Sequence, residues 1–517
     1  MSDSVFKQSG RTVGMGRLTA DPHPVLFDLL YDPQFARDLA EVLPWLLQID
    51  AAHVVMLAER GVLPRAAAAG LLRVNRELAA RGQAEEPVIE PPQVHRGLYM
   101  VYERHYVDRL GPEVGGAAHV ARSRNDINAT IARMRLRNEL LALLEASGAL
   151  VGAALGLACD HAGTAMSGFT HFQPAQPTTF GHYLAGVASE LLRSLDLLAG
   201  AFDTVNRSPL GAGAGLGTSF AIDQELTASL LGFDGVILNS LDAVASRDYA
   251  VQVLAALSMV GTTLTRLSFD LQTWGSHAYG FLRWPDHMVS TSSMMPQKRN
   301  AFVLENIRGR AAGPAGALAA TLLGLKNTPF SNSVEVGSEA TSHLWPALAA
   351  GRTMVGLTEL MLREVEVDSG RMLGFLKEGE TTMTALADHL VARHGLPFRT
   401  AHDAVGLLLQ RGISGEPGKP LSAAAVRAGL QEALRQVAGR DVLLVEGEIA
   451  RALDPLASVQ ASRHGGGPAP EAVRAQLAEL EAARQGLAAR VTAWRRGLEG
   501  AEARLGAAVG SLMEIQG

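Results

Sequence analysis

Five stretches of this chain read as helices too long and too apolar to stand alone. Thr130–His161, Gly181–Asn206, Leu241–His277, Ala301–Lys326 and Glu339–Val365 are rich in Ala, Leu, Met and Arg and hold few internal prolines. Several are apolar nearly all the way round, and such a helix must be covered on most sides. A bundle of long helices, extended by association of subunits, meets that demand. The expected fold class is therefore all-α. The bundle is expected at about 126–367, after a mixed N-terminal region at 1–125 and before a smaller helical region at 368–517. Within the last region RHGGGPAP is a turn. The Ala-, Leu-, Glu- and Arg-rich run Glu471–Met513 after it reads as one long helix, or as a hairpin broken near Gly497 and Gly500.

Composition narrows the function classes. With 517 residues, 47% hydrophobic and 19% charged, the chain has the balance of a globular protein of several domains. The net charge of −6 comes from both signs scattered along the sequence, with no basic stripe for nucleic acid. The single cysteine, Cys159, excludes an internal disulfide, fits a reducing, cytoplasmic compartment, and reads as a small buried hydrophobe. The N-terminus has no apolar signal core. The most membrane-like run, Leu140–Ala158, contains Glu145 and reads as a buried bundle helix.

The breaks between the helices hold the candidate chemistry, because loops on a rigid scaffold carry function. Ser290–Asn300, STSSMMPQKRN, brings together Ser292, Ser293, Lys298 and Asn300. A serine acts as a base only where a cation and hydrogen-bond donors favour its alkoxide. Lys298 can supply that charge, and with Asn300 it can hold a carboxylate whose negative charge grows during deprotonation. A polar surface turn accounts for the same residues. Thr170 and His171, in SGFTHFQPAQP, add a hydroxyl and an imidazole that titrates near neutrality. Glu305, at the start of a helix, can orient that imidazole. Ser123, Arg124 and Asn125 precede another helix and suit a carboxylate, while an N-cap by Asp126 among surface charges explains them equally. The glycine run 211–217 lacks the Lys-Ser/Thr ending of a phosphate loop. With no HExxH, CxxC or acidic calcium loop, neither a metal nor a cofactor is expected.

These loops carry a resemblance. STSSMMPQKRN resembles the GSSxMPxKxN signature of the fumarase/aspartase superfamily, with Thr291 in place of the usual glycine. THFQPAQPTTFGHYL, RSRND, SPLGAGAGLGT, NSLDAVASRDY, LENIRGR and RHGGGPAPEAV together look like the argininosuccinate lyase family, over roughly 115–475. Gly16-Arg17-Leu18 echoes that family's opening GGRF.

The resemblance implies a three-domain helical fold and a homotetramer whose active sites are each built from three subunits. It implies a carbon–nitrogen lyase that splits an N-substituted aspartate by β-elimination and releases fumarate, with Ser292 as the base. It assigns His171, Glu305 and Lys298 to catalysis. It assigns Ser123, Arg124, Asn125, Thr170, Arg247, Ser293 and Asn300 to substrate binding.

The amine half of the pattern departs from the family. Phe302 stands where an acid is usual. Asn332, Gly337 and Ala340 stand where the family has Tyr, Gln and Lys, and Gly97-Leu98-Tyr99 meets its Asp-Ile-His. A buried ammonium or guanidinium without a paired acid costs several kcal/mol, roughly. The expectation is a specialised amine, as in lyases that cleave ethylenediamine-disuccinate, with Phe302 and Asn332 at that end. Housekeeping argininosuccinate lyase is the alternative. A crystallin-like structural protein is the alternative of another class, but it would not require the set Ser292, His171 and Glu305.

Overall fold

The computed structural model describes residues 21–83, 89, 95, 97–412, 422–439 and 441–514. Gly16-Arg17-Leu18 lies outside the described residues. Helices Leu43–Glu59 (α1), Arg65–Gln83 (α2) and Leu98–Gly115 (α3) surround an N-terminal apolar core. The bundle follows: Arg124–Asp160 (α4), Phe180–Val205 (α5), Asp248–Trp274 (α6), Phe302–Leu325 (α7) and Leu344–Arg363 (α8). Their facing sides form the largest core. Met383–His394 (α9), Phe398–Gln410 (α10) and Ala423–Ala438 (α11) enclose a third, separate core.

The final helix, Pro470–Glu514 (α12), runs without a break through Gly497 and Gly500. It does not join the core of α9–α11. Instead Val473, Leu477, Leu487 and Val491 enter the bundle core, and Leu512 enters the N-terminal core. Trp494 stacks on Phe202 of α5 at 4.2 Å, and Arg495 pairs with Glu145 of α4 at 2.9 Å. Packing along one face keeps the helix continuous, because a mid-helix glycine costs only about 1 kcal/mol.

Three local features differ from the sequence reading. Leu241–His277 is two helices, because Ser246 is extended and the Arg247 guanidinium donates back to the carbonyls of Val244 and Ser246 at 3.1 and 2.7 Å. THFQPAQP is the turn and second strand of an antiparallel hairpin, Ala165–Thr170 (β1) against Gln173–Thr179 (β2). Cys159 is exposed, on the outer side of the last turn of α4.

Helices α4 and α6 are long and apolar enough to cross a membrane by length and composition. Both are bundle helices here. Helix α4 carries buried Asp126, Arg133 and Arg137, and each bonds to neighbouring protein groups, although the Nε atoms of both arginines lack a partner among the described residues. Arg133 donates to the Thr204 carbonyl at 2.7 Å and Arg137 to that of Leu231 at 2.5 Å. A lipid-facing helix has no such partners.

Candidate active site

The start of α4 is fixed by its own sequence. Ser123 is the N-cap: its hydroxyl accepts from the Asn125 N–H at 3.3 Å, and its N–H donates to Asp126 at 2.9 Å. Asp126 is thus the third residue of a capping box and not the cap itself. Its second carboxylate oxygen accepts from the N–H groups of Gly211 and Gly213 at 3.0 and 2.9 Å. Both glycines have positive φ, 93° and 60°, which a side chain would oppose. The glycine run therefore does hold an anion, and that anion is the chain's own carboxylate. Burial pushes the Asp126 carboxyl upward against the pull of its three backbone donors.

This arrangement divides the RSRND cluster. Arg122 turns inward and pairs with buried Asp50 at 2.5 Å, while Tyr102 donates to the other Asp50 oxygen at 2.6 Å. Arg124 points to solvent and Asn125 is half-buried. The Asn125 side chain accepts from the Asn332 amide at 3.0 Å and reaches the Ala214 carbonyl at 3.5 Å. Arg247, the buried N-cap residue of α6, belongs to the same end of the bundle, since Arg133 of α4 lies over Tyr249 of α6 at 4.3 Å. Sequence reasoning missed Asp126 and Asp50 as the organisers of this end. The alternating glycines after SPL were the available signal, since such a run makes an anion cradle.

The other candidates lie at the far end of the bundle. The loop 290–300 is pinned by a two-residue ladder, Ser290–Thr291 (β3) against Arg299–Asn300 (β4). Between the strands the Ser292 hydroxyl oxygen accepts from the N–H groups of Met294 and Met295 at 3.3 and 3.0 Å. Two donors aimed at one hydroxyl favour its alkoxide. Ser293 and Lys298 are exposed beside it, and Asn300 is half-buried. Phe302 opens α7 and is 41% exposed. Arg299 anchors the loop through an ion pair with Asp286 and a 2.7 Å bond to the Trp284 carbonyl.

Thr170 and His171 sit at the tip of the β1–β2 hairpin, both exposed, with His171 and Phe172 at φ of 53° and 62°. Non-glycine residues hold that conformation at functional turns more often than elsewhere. Phe172 leans on Phe269 of α6 at 6.2 Å, which puts the hairpin tip at the C-terminal end of α6. Glu305 is there too, but its carboxylate accepts from Gln272 at 2.8 Å. Among the described residues the Glu305 carboxylate is not bonded to His171 within one chain, so the expected pair is not formed intramolecularly.

The candidates thus fall into two groups. Ser123, Arg124, Asn125, Arg247 and Asn332 stand at the start of α6; Thr170, His171, Ser292, Ser293, Lys298, Asn300, Phe302 and Glu305 stand at its end. The 27 residues of α6 span about 40 Å.

With this geometry the relatives are informative. A lyase family matches residues 46–313 and the argininosuccinate lyase C-terminal family matches residues 380–460. The chain belongs to the argininosuccinate lyase family of the fumarase/aspartase superfamily. It is 35% identical to argininosuccinate lyase 1 of Shouchella clausii over 90% of this chain and 93% of that protein. It is 40% identical to argininosuccinate lyase of Methanoculleus marisnigri, over 88% and 89%. The crystal structure of EDDS lyase in complex with formate matches with a TM-score of 0.82 and 29% identity, covering 96% of this chain and 97% of that one. The chain is a carbon–nitrogen lyase that forms fumarate.

Proposed function

We propose that this lyase cleaves an N-substituted aspartate whose amine is not arginine, with Ser292 as the base. The observation that carries the chemistry is the Ser292 oxygen held under two backbone donors, close in sequence to Lys298. Ser292 takes the proton from the carbon beside one substrate carboxylate. The electrons enter that carboxylate, whose doubled charge Lys298 and Asn300 stabilise. The C–N bond then breaks, fumarate forms, and the departing amine gains a proton from solvent or from a group near His171. A C–H proton of such low acidity makes charge stabilisation the main catalytic contribution.

One chain does not bring the two groups of residues together, and the separation of about 40 Å along α6 favours sites shared between subunits of a homotetramer. The outer face of α7 supports this: Ala312, Gly313, Ala315, Gly316, Leu322 and Leu323 are exposed there, an apolar strip suited to another helix. The family resemblance implies the same arrangement, with each active site assembled from three subunits.

The amine preference rests on Phe302, Asn332, Gly337 and Ala340, which leave the amine end without the family's acid, Tyr, Gln and Lys. The Asn332 amide is moreover engaged by Asn125. The second reading, argininosuccinate lyase, is favoured by relatives of that name at 35% and 40% identity across most of the chain. The deciding experiment incubates the purified enzyme with fumarate and a panel of amines, and separately with argininosuccinate, following fumarate absorbance. Faster turnover with a non-arginine amine is expected; fast cleavage of argininosuccinate makes the second reading correct.

A further inference from the structure

Away from both groups of active-site residues, His389 and His394 of α9 meet Glu448 of the short helix Glu446–Ala452. Each offers a ligand atom, and these atoms all lie within 4.8 Å of one another. The His389 Nε2 and Glu448 Oε2 atoms are 3.9 Å apart, too far for a hydrogen bond. The Nε2 atoms of both histidines are shut off from solvent, and among the described residues neither has a hydrogen-bond partner. Two enclosed imidazole nitrogens left unpaired in one cluster are unusual, since buried polar atoms are nearly always satisfied. Nothing in the fumarate chemistry uses them.

We propose that His389, His394 and Glu448 form a binding site for a divalent transition metal of the zinc class. Two imidazoles and one carboxylate are the donor set that such ions take, with a further position left for water. Donor atoms on one tetrahedral zinc stand roughly 3.3 Å apart, so closing the cluster needs only small side-chain shifts. Glu448 is already prepared for one-oxygen ligation, because its other oxygen accepts from Arg393 at 3.0 Å. A neighbour of this kind orients the carboxylate while leaving the free oxygen toward the histidines. A cavity of about 580 Å³ borders His389 and Glu448 beside the cluster. The ion would clamp α9 to Glu446–Ala452, at the edge of the third core. The ligands carry no HExxH or CxxC spacing, which is why the linear sequence gives no sign of them.

The test uses the full-length protein, stripped with a chelator and titrated with Zn2+ alone by equilibrium dialysis, with melting temperature read in parallel. One equivalent of zinc per chain and a higher melting temperature are expected. His389→Ala, His394→Ala and the isosteric Glu448→Gln each abolish both effects, while Arg393→Ala weakens binding by about tenfold. His402→Ala, an exposed histidine on the next helix, changes neither. Helical content and fumarate release of zinc-free Glu448→Gln should match those of the zinc-free parent, which separates loss of the site from loss of the fold. Absence of stoichiometric uptake by the parent, or full uptake by Glu448→Gln and His394→Ala, overturns the proposal.

Discussion

The Asn332 amide donates to the side-chain oxygen of Asn125 across 3.0 Å, although the two residues are 207 positions apart. One comes from the segment that departs from the family pattern, the other from the RSRND loop. The bond fixes which way the Asn125 amide faces, and so which of its atoms is offered to a substrate carboxylate.

Removing the donor should therefore act through Asn125. Asn332→Ala is expected to raise KM for the N-substituted aspartate about fivefold, the equivalent of about 1 kcal/mol for one such hydrogen bond. Adding it to Asn125→Ala should bring little further loss. Steady-state kinetics on the two single variants and the double variant check this, and strict additivity would separate the residues.

The helix 470–514 is part of the fold that positions the site. Trp494→Ala removes the ring stacked on Phe202 and should destabilise the protein by about 2 kcal/mol, seen as a lower melting temperature. KM should be unchanged, because the contact lies between the two groups of site residues and touches neither.

Asp38 gives a pH signature of stability. Burial, opposed by Arg37 and Gln34, raises its carboxyl to about 6. The folded state thus prefers the protonated form. Its contribution is full below the unfolded value of 3.8 and is lost as pH rises through about 6. Asp38→Asn should raise the melting temperature at about pH 8 and leave it unchanged at about pH 4.

The bundle was legible because long apolar helices admit few other arrangements, and the loops because Gly, Pro, Ser and Asn interrupt a strong pattern. Ser292 was singled out by its loop together with the family signature, and the donors that hold its hydroxyl are local, two and three residues away. What escaped depends on distant pairing. The Asp126 carboxylate meets Gly211 and Gly213 across 85 and 87 positions, so the glycine run could be read only as a loop without a ligand. Cys159 was expected inside because a free cysteine usually packs as a small hydrophobe, yet at the end of a helix one step in register turns a side chain to solvent. The break at Ser246 and Arg247 is made by an arginine bonding to its own backbone, which no periodicity reports.

The proposal that active sites are completed between subunits has a direct test. Ser292→Ala and Asn125→Ala chains, each nearly inactive alone, can be co-expressed with different tags and purified as hybrids. Hybrids are expected to regain fumarate release well above either parent, because some sites then draw Ser292 and Asn125 from intact chains. Hybrids no more active than their parents would contradict it.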